Sequence, residues 1–502
     1  MQTSAPYAPY APPQGPPPEK GDDGKGYERF KPKKKVNDIF FLIFFLLQFA
    51  GFIGVSAIVL IEYVRHDGLG GGLGDADSGR NGKTNGLPIT LNRSTVYLLL
   101  VIAAFSLVVA TLYIMLVRAF TKAIMHVTLI LSILLNIGIC IYYWCGYTSG
   151  AIVFTILAVF SVLSYWGFRS RIPFSALLLQ IVVDISKHHK SVYVVAFISL
   201  IMQTALSVWF TFTLIATYAK WTPGSPSCKE QGGDTSCSSG IVAGVVFFEV
   251  FSYIWTSQVI GNVALATLAG GVYGGWYYFG PASAGVMPKN PSLGAFGRAS
   301  TLSLGSIAFG SLIVTILEMI RLIFQMIQNN ANQEGHPVEM ICACIAQCIV
   351  GCIQSMVEYF NRYAYIEIAL YGKPYIEAAK DTWRLFKDRG IDALVNDQLV
   401  SMTFTWGGFI TGIMCSLFAY LYLRFTDPSY NADGNYTVPV VLFAFSIGLM
   451  ATLTASSALE AGVSTIFVGL GEDPHILAQR SPALFEMVRQ HYPDVVVSLH
   501  GP

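Results

Sequence analysis

Apolar runs long enough to cross a membrane recur along most of the chain. A helix crosses the roughly 30 Å hydrocarbon core with about 20 residues, and these runs lack the period-two alternation of barrel strands. Because backbone polar groups in lipid must bond within their own segment, each run predicts a transmembrane helix. The sequence therefore predicts an all-α, polytopic membrane helical bundle of about ten transmembrane helices. The predicted spans are 39–64, 96–117, 123–143, 151–168, 193–219, 241–268, 301–328, 339–371, 400–423 and 438–470.

Residues 172–186 form a shorter apolar stretch that contains Asp184 and leads into Lys187-His188-His189-Lys190. A short apolar segment with a basic end is typical of a helix that lies in the membrane interface. We therefore predict a helix at the cytoplasmic interface. A crossing is the alternative, and it would reverse the side of every later segment.

Polar tails flank the bundle. Residues 1–35 are rich in proline and end in a basic run, so they predict a disordered cytoplasmic tail. The run from Arg29 to Lys35 is expected either to contact anionic lipid headgroups or only to set the orientation of the first span. The transmembrane domain is predicted over 36–471 and a cytoplasmic C-terminal tail over 472–502.

Composition narrows the class of protein. Hydrophobic residues make up 53% and charged residues 12% of the chain, about half the charged share of a soluble domain. The net charge of +1 favours neither a nucleic acid nor an acidic partner, and the nine cysteines show no metal-ligand spacing with histidines. Catalytic motifs are absent, and Gly82-Lys83-Thr84 has Asp77 where a phosphate loop needs its first glycine. The sequence therefore predicts no enzyme, no metal, no cofactor and no ATP-driven pump.

The distribution of lysine and arginine predicts the orientation. Most of the 31 basic residues lie in segments that are cytoplasmic if the amino terminus is cytoplasmic, and ten spans then place both termini inside. Two sequons, at Asn92 and Asn435, fall in predicted outside loops and are predicted glycosylation sites. Cys228 and Cys237 share another outside loop and predict a disulfide.

Ionisable residues inside the predicted spans are candidate functional positions, because burying them in lipid is costly. Glu318 could pair with Arg321, and Glu358 could pair with Arg362, at helical spacings of three and four. No local partner is evident for three further acids, which are Glu249, Glu367 and Glu460.

Aromatic residues cluster near these acids. Ring faces attract organic cations by about 0.5 to 2 kcal/mol each, and a carboxylate supplies the opposite charge. The alternative is that the rings only face lipid or form interfacial belts. The predicted cation-binding residues are Glu249, Tyr253, Trp255, Tyr363, Tyr365 and Glu367.

A glycine-rich stretch follows the sixth predicted span. So many glycines are expected to break or kink a helix, and irregular backbone at membrane depth is tolerated only in a cavity or under protein cover. The stretch is therefore either a gate or a wet interfacial loop. The gate candidates are Gly270, Gly271, Gly274, Gly275 and Trp276. A separate stripe, Cys344, Cys348 and Cys352, predicts helix packing or an acylation site.

Several motifs of the second half resemble the choline transporter-like family. They are Phe-Asn-Arg-Tyr-Ala-Tyr-Ile-Glu-Ile-Ala-Leu-Tyr-Gly-Lys at 360–373, Gly-Ser-Ile-Ala-Phe-Gly-Ser-Leu at 305–312, Ala-Phe-Gly-Arg at 295–298 and Tyr277-Tyr278. The short first outside loop and the proline-rich tail resemble the fungal branch. The resemblance implies a multi-pass plasma-membrane protein with ten helices, cytoplasmic termini and, in some members, choline transport with proton exchange.

We therefore expect a secondary or facilitative transporter of choline or a choline-like small organic cation. Its expected partners are this cationic solute and, at the basic run, anionic lipids. A channel or lipid-moving protein is one alternative. A non-transporting scaffold or sensor that works through its proline-rich tail is another. The sequence has no signal for an oligomeric state.

Overall fold

A computed structural model describes residues 35–66, 93–146, 148–221, 239–280, 287–334, 336–426, 428 and 437–480, with a few isolated positions beyond. These residues form helices and no strand, which confirms the predicted all-α class. The helices are α1 (Ile39–His66), α2 (Arg93–Gly146), α3 (Thr148–Arg169), α4 (Ile172–His188), α5 (Ser191–Trp221), α6 (Ser239–Leu268), α7 (Gly274–Phe279), α8 (Pro291–Thr301), α9 (Leu304–Glu334), α10 (Pro337–Tyr371), α11 (Tyr375–Thr426), α12 (Thr437–Glu472) and α13 (Pro474–Arg480). A π-helical segment, Ala269–Tyr273, joins α6 to α7.

Eight helical ranges in the described part of the chain are long and apolar enough to cross a membrane. One of them, Tyr97–Tyr142, has 46 residues. At ~1.5 Å per residue it is about 69 Å long, more than twice the hydrocarbon thickness. Its helix α2 bends at Phe120, where the backbone is non-helical (φ −127°, ψ 35°). The bend lies between the predicted spans 96–117 and 123–143, so this range corresponds to both. The polytopic bundle is confirmed, and the count of ten stays a prediction.

Helix α4 covers the stretch that was expected at the interface. Its 17 residues extend about 26 Å at ~1.5 Å per residue, which is shorter than the hydrocarbon core. It is enclosed by α2, α11 and α12, and most of its side chains are buried. Arg118 Nε lies 2.6 Å from Asp184 Oδ1, and Ser175 donates a hydrogen bond to Asn396. Helix α4 therefore packs within the bundle, and its interfacial position stays a prediction.

Segments that were predicted to be cytoplasmic meet at one end of the bundle. Hydrogen bonds join segments that are distant in sequence but share this predicted side. The alternation of the spans across the membrane stays a prediction. The bonds are Asn37 Nδ2 to Gly372 O, Ser292 Oγ to Ser191 Oγ and Tyr277 OH to Asp473 O, each 2.9 Å long.

Helix α11 corrects one boundary. The sequence predicted a cytoplasmic loop over 372–399, whereas the structure has only a short turn before a 52-residue helix begins at Tyr375. The turn follows Gly372, which ends α10 in the left-handed conformation (φ 66°) that glycine adopts without steric cost. The first part of α11 thus precedes its membrane-crossing range, Val395–Thr426.

The glycine-rich stretch is helical, which corrects the expected break. Every residue from Ala266 to Tyr278 is buried, and the chain runs through the π-helical segment into α7 without a loop. A Cβ atom on Gly270 would lie 2.7 Å from Ala369 O, and one on Gly271 would lie 3.2 Å from Pro291 O. The glycines therefore permit close packing against α10 and the start of α8. Their role as a gate stays a prediction.

The two residues before α1 tie it to two other helices, and we call them the Asn37–Asp38 junction. The Asp38 carboxylate accepts hydrogen bonds from Ser306 Oγ at 2.6 Å and from the backbone N–H of Tyr375 at 2.8 Å. Asp38 has a φ of 51°, a left-handed conformation that aspartate tolerates better than most residues. The start of α1 is thereby fixed to the starts of α9 and α11.

Gly305 packs directly against this junction, and Gly305→Ala is expected to destabilise the protein. The added Cβ would lie 2.5 Å from both Asn37 O and Asp38 O, which are backbone atoms that no rotamer change can move. Overpacking of this kind costs about 1 to 3 kcal/mol. The thermal unfolding midpoint of the purified protein should fall. Gly297→Ala is the control, because a Cβ there meets nothing within 4 Å. Equal midpoints for the two variants would contradict the close contact.

Candidate functional site

Glu249 and Tyr253 lie one turn apart on the face of α6 that packs against α5. Glu249 is fully buried, and one carboxylate oxygen accepts a hydrogen bond from Thr217 Oγ1. The other oxygen, Oε2, has no hydrogen-bond partner among the described residues. The Tyr253 hydroxyl lies 2.9 Å from Ser207 Oγ. A buried carboxylate without a cationic neighbour is costly in a membrane, so Glu249 remains a candidate functional residue.

Trp255 lies on a different face of α6 and does not join Glu249. Its Nε1 donates a hydrogen bond to Ala308 O at 3.0 Å. Its ring packs near Phe44 and Phe45, with centroids 5.1 and 5.4 Å away. Trp255 therefore fixes α6 to α1 and α9. The expected aromatic cage around Glu249 is not formed by this side chain.

Tyr363 and Tyr365 are two residues apart on α10 and face different helices. The Tyr365 hydroxyl lies 3.4 Å from Ser311 Oγ on α9. The Tyr363 hydroxyl donates a hydrogen bond to Asp397 Oδ2 on α11 at 2.9 Å. Only Tyr363 therefore shares a face with Glu367, one turn further along α10.

Glu367 has a cationic partner that the sequence did not reveal. Lys373 Nζ lies 3.0 Å from Glu367 Oε2 and 2.7 Å from Asp381 Oδ2. The left-handed turn at Gly372 folds Lys373 back over the end of α10. Burial lowers the pKa of Lys373, but Glu367 and Asp381 raise it by more, so its pKa lies above the usual value and the side chain stays charged at neutral pH.

Charged side chains of α10, α11 and α12 meet within the membrane-spanning ranges. Arg362 Nη1 lies 3.5 Å from Glu460 Oε2, and Asp397 accepts hydrogen bonds from Tyr363 and, at 3.3 Å, from Ser464 Oγ. The Arg362 and Glu460 side chains are 24% and 22% exposed, so the position is not fully enclosed by protein. Two carboxylates face one guanidinium. When all three groups are ionised, one negative charge is in excess.

Aromatic rings lie beside these charges. The rings of Tyr359 and Tyr363 are 5.3 Å apart, and Phe386 lies 5.4 and 5.0 Å from them. Phe467 of α12 lies 6.3 Å from Tyr363. Such spacings are those of favourable aromatic pairs. We call the whole set the charged-aromatic cluster: Tyr359, Arg362, Tyr363, Phe386, Asp397, Glu460, Ser464 and Phe467.

The ion pairs differ in part from the expected ones. Glu318 and Arg321 do pair, at 3.8 Å, as predicted. The suggested pairing of Glu358 with Arg362 is wrong, because Glu358 bonds instead to Gln354. The partner of Arg362 is Glu460, for which no local partner was evident in the sequence. Local spacing could not reveal this pair, since its two residues belong to different helices.

Other predicted sites are placed as follows. Cys344, Cys348 and Cys352 are exposed, so they are not buried against the helices that the structure describes. Acylation there stays a prediction. The predicted disulfide and glycosylation sites lie outside the described residues; they are Cys228, Cys237, Asn92 and Asn435.

Comparison with known proteins places the chain among fungal relatives. A sequence profile of the family described as "Plasma-membrane choline transporter" matches residues 152–475, which include the whole charged-aromatic cluster. "Protein PNS1" of Cryptococcus neoformans (strain JEC21) is 59% identical over 99% of this chain and 90% of its own length. "Protein PNS1" of Mycosarcoma maydis is 45% identical over 93% of this chain and 85% of its own length. That of Gibberella zeae is 40% identical over 94% and 86%.

Proposed function

Because the chain belongs to the plasma-membrane choline transporter family, we propose that it transports choline or a choline-like organic cation across the plasma membrane. The proposed mechanism is secondary or facilitative, with both termini cytoplasmic. The observation that supports this proposal is the charged-aromatic cluster. It combines two carboxylates that face one guanidinium, several ring faces and partial access within the membrane-spanning helices.

The chemistry of the cluster suits a quaternary ammonium group. Such a cation donates no classical hydrogen bond, so a site must hold it by charge and by ring faces. Asp397 is the proposed counter-charge, because Arg362 is already paired with Glu460. Tyr359 and Tyr363 supply adjacent rings on the same helix. The hydrogen bonds from Tyr363 and Ser464 hold the Asp397 carboxylate in position.

Transport requires the helices to move out of this closed arrangement. Tyr363 is fully buried, so a solute reaches its ring only after neighbouring helices separate. We propose that the π-helical segment takes part in this gating. Arg298 Nη2 donates a hydrogen bond to Gly270 O at 2.8 Å and thereby links α8 to the segment. π-Helical turns inside α-helices are frequent at functional sites.

Competition by an uncharged isostere of choline tests the substrate class. In proteoliposomes that take up radiolabelled choline, excess unlabelled choline should compete well. The neutral isostere 3,3-dimethyl-1-butanol should compete at least about tenfold less well, because it keeps the shape and loses the attraction to the rings and carboxylate. Equal competition would contradict a site selected by charge.

The same vesicles distinguish the alternative functions. Ion currents or lipid scrambling without solute uptake would favour a channel or a lipid-moving protein. If no transport is measured and removal of residues 1–28 abolishes the cellular function, the scaffold or sensor alternative is favoured. Uptake that persists after removal of the tail supports the transporter.

A further inference from the structure

An open groove lies between α10 and the first part of α11. Its volume is about 450 Å³. It lies outside the charged-aromatic cluster and before the membrane-crossing part of α11. The residues that line it are Phe360, Tyr375, Ile376, Ala379, Lys380, Trp383 and Arg384.

The groove has an apolar wall and a basic rim. Ile376 and Trp383 are seven residues apart, so they lie on one face of α11, and they are 58% and 66% exposed. Lys380 lies between them on the same face, one turn before Arg384. An exposed tryptophan beside basic residues, just before a membrane-crossing range, is typical of a helix at the headgroup level. The groove therefore offers apolar and cationic surfaces side by side.

The charge at the rim is available to a ligand. No ion pair reaches Lys380 in the part of the chain that the structure describes. Arg384 lies 3.1 Å from Asp381, but its own side chain is 77% exposed. Asp381 in turn also contacts Lys373. Lys380 is thus the free cation of the groove, and Arg384 can add a further contact to an anion.

We propose that this groove binds an anionic phospholipid of the surrounding bilayer. An acyl chain lies along Phe360, Ile376 and Trp383, and the headgroup phosphate contacts Lys380 and Arg384. This complementarity of apolar groove and basic rim favours a lipid over a soluble anion, which would leave the groove unfilled. The site is separate from the proposed basic run at the amino terminus and does not depend on the proposed transport function.

Fluorescence quenching by brominated lipids tests the location. The protein is placed in phosphatidylcholine nanodiscs that contain a small, equal fraction of acyl-brominated phosphatidylserine or acyl-brominated phosphatidylcholine. The fluorescence of Trp383 is the difference in emission between the wild type and Trp383→Phe. It should be quenched at lower mole fractions of brominated phosphatidylserine than of brominated phosphatidylcholine.

Charge variants test whether the basic rim of the groove recognises the lipid headgroup. Lys380→Gln should raise the phosphatidylserine fraction needed for half-quenching by about fivefold, the factor for one basic residue near an anionic surface. Lys187→Gln is the control, because it removes the same charge from an exposed residue of α4, which does not line the groove.

Three results would overturn the proposal: equal quenching by both brominated lipids, an equal shift in the two lysine variants, or displacement of the lipid by millimolar inorganic phosphate. The last result would assign the rim to a soluble anion.

Discussion

Replacing Asp397 with asparagine is expected to lower choline uptake by about 10- to 100-fold, the effect of losing about 1.5 to 3 kcal/mol of charged interaction. Asparagine has nearly the same shape, and its one amide oxygen in the Oδ2 position can accept the hydrogen bond from Tyr363 at 2.9 Å and the longer one from Ser464 at 3.5 Å. The change therefore removes the excess negative charge and leaves the packing of the charged-aromatic cluster in place. Uptake into proteoliposomes of equal protein content measures the effect.

Two comparison variants assign the result to the cluster. Glu358→Gln is the matched acid-to-amide control, since Glu358 is exposed on the same helix as Tyr363 and accepts a hydrogen bond from Gln354. It should transport normally. Glu249→Gln tests the other candidate counter-charge. Normal uptake by the Asp397 variant together with loss in the Glu249 variant would move the binding site to the α5–α6 interface.

Thermal stabilisation separates loss of binding from loss of folding. A ligand that binds only the folded state raises the unfolding midpoint as its concentration exceeds its Kd. Choline should raise the midpoint of the wild type and of Glu358→Gln but not that of Asp397→Asn. If the choline concentration that stabilises the wild type also stabilises Asp397→Asn, Asp397 is not the counter-charge.

Lys373→Gln is expected to destabilise the fold by about 3 to 5 kcal/mol, the usual cost of removing one partner of a buried ion pair. The Glu367 side chain is 0% exposed, and the structure gives its carboxylate no other cation at short range. Removing Lys373 therefore leaves a negative charge enclosed by protein. The unfolding midpoint of the purified protein should fall by more than for any other variant considered above.

The double variant Glu367→Gln, Lys373→Gln tests this cause. When both charges are removed, most of the stability should return, because no uncompensated charge remains. Arg384→Gln is the control, since Arg384 contacts the same Asp381 but is 77% exposed. Exposed pairs contribute about 0 to 1 kcal/mol, so its midpoint should change little. A double variant as unstable as Lys373→Gln would show that lost packing, rather than an unpaired charge, causes the loss of stability.

The helical bundle could be predicted from the sequence because backbone polar groups in lipid must be hydrogen-bonded, and this requirement acts on each segment separately. An apolar run must form a helix whatever its neighbours are. The enclosure of α4 depends on neighbouring helices, so hydropathy did not reveal it. The same holds for the glycine-rich stretch. Its composition indicates flexibility in isolation, whereas in the structure it is helical and packs closely against Ala369 and Pro291.

The candidate site could be predicted only in part. Tyr363, Arg362 and Glu460 were recognisable as unusual residues inside spans. Asp397 was missed because it lies three residues before the predicted span 400–423, and a boundary is the least reliable part of a hydropathy assignment. Helix α11 extends through that boundary, which brings Asp397 to the charged-aromatic cluster.

The Asn37–Asp38 junction has a consequence for the order of assembly during synthesis. Its bonds join residues 335 and 337 positions apart, so α1 reaches its final contacts only after α10 and the start of α11 have emerged from the ribosome. Until then α1 lacks these two hydrogen bonds. Contacts of such long sequence separation form late. The N-terminal half therefore reaches its final packing only when the C-terminal half has been made.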